Sequence, residues 1–60
     1  MKADLESRAA SLFHYGIIVS DMEYYNRGVI RRTVFENGEI VTKRDGEVIN
    51  IEREGTRYYE

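Results

Sequence analysis

The chain contains no cysteine, no proline, no tryptophan and only one histidine among its 60 residues. Without cysteine it can form neither a disulfide nor a thiolate metal site, and His14 alone supplies too few ligands for a zinc site. A domain this short seldom gains more than about 3–5 kcal/mol from one core, so natural chains of this size often rely on disulfides, metal or self-association. We therefore expect an efficient core or a homo-oligomer, with no cofactor and no bound metal.

The sequence also lacks a strong charge of either sign and any long apolar run. Lys and Arg number 9 against 11 Asp and Glu, for a net charge of −2 and an isoelectric point near 5.4, whereas general polyanion binders are usually basic. The longest apolar run, Ile17-Ile18-Val19, is far too short to cross a bilayer. The first residues have no apolar segment typical of a signal peptide. We expect one domain over residues 1–60, cytoplasmic and not bound to a membrane.

Residues 4–15 have the periodicity of an amphipathic helix. The apolar residues that fall on one helical face are Leu5, Ala9, Leu12 and Phe13. Asp4 is a suitable N-cap, because its carboxylate can accept from the free amides of the first turn. Gly16 stands where a helix commonly ends on a residue with positive φ. His14, near that end, is expected to interact with the last carbonyls and the helix dipole rather than to take part in catalysis.

Residues 17–27 allow two interpretations. The β-branched run at the start favours an extended segment, while Ser20 and Glu23 have the spacing of a capping box that would begin a short second helix over 21–27. The alternative is one continuous helix over 4–26, which would place a glycine in its interior at a cost of about 1 kcal/mol. We favour the extended segment followed by the short second helix, so that the helical part spans about 4–27.

Residues 29–60 have the features of an antiparallel β-meander. Asn37-Gly38 and Asp45-Gly46 are strong signals for two-residue hairpins, since both positions of a type I′ turn need positive φ. The runs between them are rich in Val, Ile and Thr, as strands are. We predict strands at 29–36, 39–44 and 47–53, with a fourth at 56–60 after a weaker turn signal. The predicted fold class is α+β: the helical part packed on a three- or four-stranded antiparallel meander.

Two-residue loops set a register that can be checked on the apolar residues. This register pairs Phe35 with Ile40 and Ile40 with Ile51, so that one apolar row crosses the sheet and continues to Tyr58. The apolar residues that it leaves for the opposite face are Ile30, Val34, Val41 and Val48. One short helix cannot cover both faces of the sheet. We therefore expect a homodimer formed through the sheet or its edge.

Basic residues near one end of the first hairpin form the most prominent charged group. The predicted register puts Arg31 opposite Arg44 and Arg32 opposite Lys43, and like charges directly across a ladder are destabilising. A basic two-stranded ribbon can enter a major groove or hold phosphates. The other explanation is that Glu47 neutralises the Arg44 side, while the remaining cations are solvated or pair with carboxylates of a partner chain.

Two tyrosine doublets, at 24–25 and 58–59, indicate protein contacts. Tyrosine offers a large contact area at a low entropy cost and is enriched in interfaces. On a strand, one ring of a doublet faces the core and its neighbour faces outward. The candidate contact residues for a protein partner or for nucleic acid are Tyr24, Tyr25, Tyr59, Arg31, Arg32, Lys43 and Arg44.

The sequence contains no motif of an enzyme. No nucleophile motif accompanies the histidine, Asp21 and Glu23 are explained as residues at the start of the second helix, and the glycines lack the spacing of a phosphate loop. A chain this short also has little capacity to enclose a substrate pocket. We therefore predict a small non-enzymatic interaction module or regulator, homodimeric, that binds another macromolecule and has no small-molecule substrate. The alternative is a nucleic-acid-binding β-ribbon protein that uses the basic cluster.

Overall fold

The structure is a computed structural model that describes residues 2–53 of the chain. One helix precedes four strands. These elements are α1 (Lys2–Tyr15), β1 (Ile18–Tyr25), β2 (Val29–Phe35), β3 (Glu39–Arg44) and β4 (Glu47–Arg53). The strands form one antiparallel sheet in the order β1-β2-β3-β4, so the predicted α+β fold with a meander is confirmed. The strand predicted at 56–60 lies outside the described residues.

The second helical segment predicted over 21–27 is wrong, because residues 21–25 belong to β1 and residues 26–28 form the turn to β2. The extended interpretation of the preceding β-branched run is correct, but the strand continues past Asp21 and Glu23. A helix of one or two turns is marginal without tertiary support. Pairing with β2 satisfies the backbone groups of every second residue of β1, and this outweighs the local capping-box signal. The continuous helix over 4–26 does not form either, since α1 ends at Tyr15.

The end of α1 requires glycine because of close packing and not, as expected, because of a positive φ angle. Gly16 is not a positive-φ residue, and its N–H donates to the carbonyl oxygen of Leu12 at 2.6 Å. A Cβ at this position would lie 2.5 Å from the same oxygen and 2.7 Å from Cδ1 of Phe35. Close approach of the helix end to the sheet therefore excludes a side chain. At the other end, Asp4 lies within the first turn instead of capping it, because the helix begins at Lys2.

The loop between β2 and β3 has three residues, 36–38, and not the predicted two. The N–H of Gly38 donates to the carbonyl oxygen of Phe35 at 2.9 Å, and Gly38 has a φ of 94°. This is the geometry of a type I turn followed by a bulge residue with positive φ, which also suits an Asn-Gly pair. The extra loop residue moves the register by one, so Val34 pairs with Ile40 where Phe35 was predicted.

The second turn, Asp45-Gly46, is confirmed, with φ angles of 51° and 86°. β3 and β4 pair as predicted next to this turn, but an irregularity farther along shifts their register by one residue. Ile51 therefore pairs with Val41 and not with Ile40. A bulge of this kind is set by the packing of the strand and leaves no mark in the turn sequence.

The core lies between α1 and the β3–β4 side of the sheet. Its buried members are Ala9, Phe35, Val41 and Val48, with Leu5, Leu12 and Ile51 packed against them. Phe13 meets Phe35 edge to face, with ring centroids 5.1 Å apart, a favourable geometry for two aromatic rings. α1 packs chiefly on β4, and all residues of β1, at the other edge of the sheet, are exposed.

The register shifts exchange apolar residues between the two faces of the sheet. Val41 and Val48, predicted on the second face, belong to the core under α1. Ile40, predicted in the core row, pairs with Val34 on the face opposite the helix, since residues paired across a ladder share a face. Ile40 is 7% exposed there. The second apolar set is therefore Ile30, Val34 and Ile40.

Candidate interaction surface

β1 forms one edge of the sheet, and all of its residues are exposed. Within residues 2–53, no strand pairs with its outer side. Together with the residues that lead into it, β1 makes up what we call the exposed edge segment, residues 15–25. Seven of the nine large apolar residues that the described chain exposes lie in this segment: Tyr15, Ile17, Ile18, Val19, Met22, Tyr24 and Tyr25. Single exposed apolar residues are ordinary, but a contiguous set marks an interaction site.

On the helix side of β1, two carboxylates hold Arg31. Asp21 and Glu23 are two residues apart and pair with Thr33 and Arg31 on β2. Arg31 donates to Oδ2 of Asp21 and to Oε1 of Glu23, both at 2.6 Å. The Thr33 hydroxyl donates to Oδ1 of Asp21 at 2.8 Å, and the Tyr25 hydroxyl donates to Oε2 of Glu23 at 3.0 Å. All four carboxylate oxygens are therefore engaged.

This network shifts the acid–base properties of its members. Hydrogen bonds from Tyr25 and Arg31 hold the pKa of the Glu23 carboxyl below its ordinary value. The bond to Glu23 also raises the pKa of the Tyr25 phenol, because the carboxylate holds its proton. Glu23 is therefore fixed as a carboxylate, and Tyr25 as a phenol, at neutral pH. The interpretation of Asp21 and Glu23 as helix-start residues is wrong, since both instead fix the geometry of an edge strand.

The structure divides the predicted basic cluster between the two faces of the sheet. Arg31 pairs with Lys43 on the helix side, where Lys43 Nζ lies 4.4 Å from the centroid of the Phe13 ring, within cation–π distance. Arg32 and Arg44 are exposed on the opposite face. The predicted oppositions of Arg31 with Arg44 and of Arg32 with Lys43 are wrong, because the longer loop moves each partner by one residue.

The two tyrosines of the first doublet lie on opposite faces at the end of β1. Tyr24 pairs with Ile30 on the face opposite the helix, and Tyr25 pairs with Val29 on the helix side. The two residues are 42% and 74% exposed, so α1 covers neither ring. Tyr59, the candidate from the second doublet, lies outside the described residues.

Two open cavities lie beside α1. One of about 280 Å³ lies between α1 and the β3–β4 turn, beside Glu6 and Lys43. Another of about 210 Å³ lies beside Arg8 and Glu39, which form an ion pair at 3.2 Å. In each of these cavities the charged side chains already interact with another residue or face open solvent, and we assign no ligand to them.

His14 lies in the last turn of α1, where its ring meets that of Tyr15 edge on, with centroids 4.6 Å apart. The part of the chain that the structure describes contains no group of three His, Cys, Asp or Glu residues that could hold a metal ion. Over the same residues, no helix combines the length and the apolar character needed to span a membrane.

Sequence reasoning missed the exposed edge segment, although a signal for it is present. From Ser20 to Tyr25 the chain alternates between charged residues on one side, Asp21 and Glu23, and apolar residues on the other, Met22 and Tyr24. Alternation with a period of two is typical of a strand. The chain matches no protein-family model, and it has no significant similarity to a curated protein or to a solved structure.

Proposed function

We propose that this chain is a small interaction protein that acts by binding another macromolecule through the exposed edge segment, and that it performs no catalysis of its own. The observation that carries the proposal is the exposure of every residue of β1 at the edge of the sheet. An edge strand offers its backbone groups to an extended segment of another protein. Burial of the apolar side chains of this strand would add about 25 cal/mol per Å².

Order within the segment supports a specific contact. Arg31 bridges Asp21 and Glu23, and Tyr25 is held by Glu23, so these side chains need not lose much further freedom on binding. Preorganisation of this kind lowers the entropic cost of association. Tyr24, on the other face, adds a residue type that is enriched in interfaces.

A protein partner fits this surface better than nucleic acid does. Arg31 is matched by two carboxylates of its own chain, so the helix side of β1 carries no excess of positive charge. Arg32 and Arg44 share the other face, but two cations on a chain of net charge −2 give weak attraction to a polyanion.

Photochemical crosslinking tests the proposal. Tyr24 is replaced by photoreactive p-benzoylphenylalanine in one variant, and Ser7, exposed on α1, is replaced in the matched control. We expect covalent adducts with another macromolecule from position 24 and few from position 7, because only position 24 lies in the exposed edge segment. Equal yields from the two positions, or none from position 24, would contradict the proposal.

A gel shift at low salt tests the nucleic-acid alternative. We expect no shift of mixed DNA and RNA. Binding that disappears at higher salt, as counterion release requires, and that is lost in the Arg32→Gln/Arg44→Gln variant would establish the alternative in place of the proposal.

A further inference from the structure

Hydrogen bonds near the turn between β1 and β2, residues 26–28, show which backbone groups of β1 point away from the sheet. Val29 uses both of its backbone groups toward β3: its N–H donates to Oδ1 of Asp45 at 3.0 Å, and its carbonyl accepts from the Asp45 N–H at 2.8 Å. The two backbone groups of a strand residue point to the same side, so Tyr25 opposite Val29 makes a non-hydrogen-bonded pair. The N–H of Asn26, one residue on, donates to the Gly28 carbonyl at 3.0 Å, as this alternation requires.

The alternation extends back along β1, because its pairing with β2 is regular over residues 20–25. Asp21, Glu23 and Tyr25 therefore point their N–H and C=O groups toward the free edge, while the residues between them bond to β2. The outward groups form an evenly spaced set of three residues centred on Glu23.

This set is complementary to itself. If a second copy approaches in the antiparallel direction with a two-fold axis at Glu23, Glu23 pairs with Glu23 of the second copy, and Asp21 pairs with Tyr25 in both directions. Every outward group of the three residues then has a partner. We infer that the occupant of this edge is β1 of a second copy of the chain, so that two four-stranded sheets join into one sheet of eight strands. The inference rests on the proposed function and names its partner.

The small number of buried apolar residues favours a second copy of the chain over a different protein that is present only part of the time. The buried apolar residues of the described chain are only Ala9, Phe35, Ile40, Val41 and Val48. A domain of this size buries a smaller share of its surface than a larger domain does and gains little from one core. A partner that supplies the missing burial must be present whenever the chain is present. A second copy always meets this condition, and many homodimers have no stable folded monomer for this reason.

The side chains that meet in this register are compatible on the face opposite the helix. Met22 of each copy lies beside Tyr24 of the other, and cross-strand pairs of aromatic and apolar residues stabilise a sheet. The contact is isologous and closes as a dimer, without propagating into a filament.

On the helix side, a two-fold axis at Glu23 places fewer like charges opposite each other than a two-fold axis at Met22 does. The one like-charge pair is Glu23 with itself, and each Glu23 already accepts from its own Arg31. A two-fold axis at Met22 would set Asp21 opposite Glu23 twice. A two-fold axis at Tyr24 would leave only three strand residues from each copy in contact, since β1 ends at Tyr25.

Paired cysteines test the contact and its register together, because the chain has no cysteine of its own. In the inferred register Met22 faces Tyr24 of the second copy in a non-hydrogen-bonded pair, with Cα atoms about 4.5 Å apart, which a disulfide can span. An oxidised mixture of Met22→Cys and Tyr24→Cys should give a covalent heterodimer, and neither variant alone should crosslink. Self-crosslinking of either variant would overturn the register. Absence of any crosslinked species would overturn edge pairing.

Proline at position 23 tests the backbone hydrogen bonds themselves. The N–H of Glu23 points to the free edge, so Glu23→Pro removes a donor that the isolated sheet does not use, whereas Glu23→Ala removes the same carboxylate and keeps the donor. Sedimentation equilibrium should show Glu23→Ala dimerising at least as tightly as wild type and Glu23→Pro roughly tenfold more weakly. Equal dimerisation of the two variants would overturn the inference. If the proline variant does not fold, the cysteine pair decides the question.

Failure of this inference differs in its signature from failure of the proposed function. If the wild-type chain sediments as a monomer and the two cysteine variants give no disulfide heterodimer, but the photoreactive variant at position 24 still crosslinks to another macromolecule, the second copy alone is overturned. A chain that gives no crosslink at all from position 24 overturns both. A disulfide heterodimer, together with a Glu23→Pro variant that dimerises more weakly than Glu23→Ala, supports both.

Discussion

The two outer strands of the sheet, β4 and β1, contribute residues to the same two cross-strand rows on the helix side. The residues from β4 pack in or against the core, whereas those from β1 are exposed. On the helix side, β4 contributes Val48 and Ile51 to these rows, and both pack in or against the core under α1. β1 contributes Asp21 and Glu23 to the same rows, and these residues are exposed. An apolar helix face cannot cover carboxylates without a large desolvation cost. Two charged residues thus decide which half of the sheet becomes core and which becomes surface.

Removal of a core ring should show the largest difference in stability between a substitution in the core half of the sheet and one in β1. Phe35 is 1% exposed, and truncation of a buried phenylalanine costs about 3–5 kcal/mol, which is as much as a domain of this size has. We expect Phe35→Ala to unfold the chain in a thermal melt. Val19→Ala, at a residue of β1 that is 60% exposed, should change the free energy of unfolding by less than about 0.5 kcal/mol. Similar losses in both variants would contradict the division into core and surface.

A side chain at Gly16 should loosen the contact between α1 and the sheet. The Cβ of Gly16→Ala would meet the Leu12 carbonyl and the Phe35 ring, so the helix end must move. Overpacking of this kind costs about 1–3 kcal/mol, and urea titration should measure it. Ala10→Gly, at an exposed helix position, serves as a control with a known cost of about 1 kcal/mol. An unchanged stability of Gly16→Ala would show that the helix end does not approach the sheet this closely.

The turns of the β2–β3 and β3–β4 hairpins, next to the core half of the sheet, should tolerate side chains at their glycines poorly. Gly38 and Gly46 have φ angles of 94° and 86°, and a β-branched residue in this region is strained by about 1–2 kcal/mol. We expect Gly38→Val and Gly46→Val to lower the melting temperature. At Gly46 no atom lies within 4 Å of a new Cβ, so backbone strain alone accounts for its effect. Melting temperatures equal to wild type would contradict the turn geometry.

The ion-pair network of β1 should have the smallest effect on stability and a distinct dependence on pH. The pKa of Glu23 is lowered by its bonds to Tyr25 and Arg31. A lowered pKa means that the network stabilises the fold above the ordinary carboxyl range, and that this contribution is lost as the pH falls through the folded-state value. Tyr25→Phe should therefore raise the pKa of Glu23 in a carbon-detected NMR titration. A pKa of Glu23 that is the same in both proteins would contradict the network.

The strands β2 to β4 could be predicted because their turns have local signals, and positive-φ residues mark where a chain reverses. Their register could not, since Asn37-Gly38 suits both a two-residue and a three-residue loop, and the longer loop is the one that forms. The second half of β1 could not be predicted, because the capping-box spacing of Ser20 and Glu23 favours a helix there and only pairing with β2, which is non-local, overrides it. The contact of Arg31 with Asp21 and Glu23 depends on that pairing, so the candidate site could not be predicted from the basic cluster alone.

Amide hydrogen exchange along β1 tests the central claim residue by residue. In dilute solution, the amides of Met22 and Tyr24 should be protected by β2, while those of Asp21, Glu23 and Tyr25 should exchange rapidly. In concentrated solution, protection should extend to these three amides as β1 pairs with its copy. Rapid exchange of all three at every concentration would contradict the account.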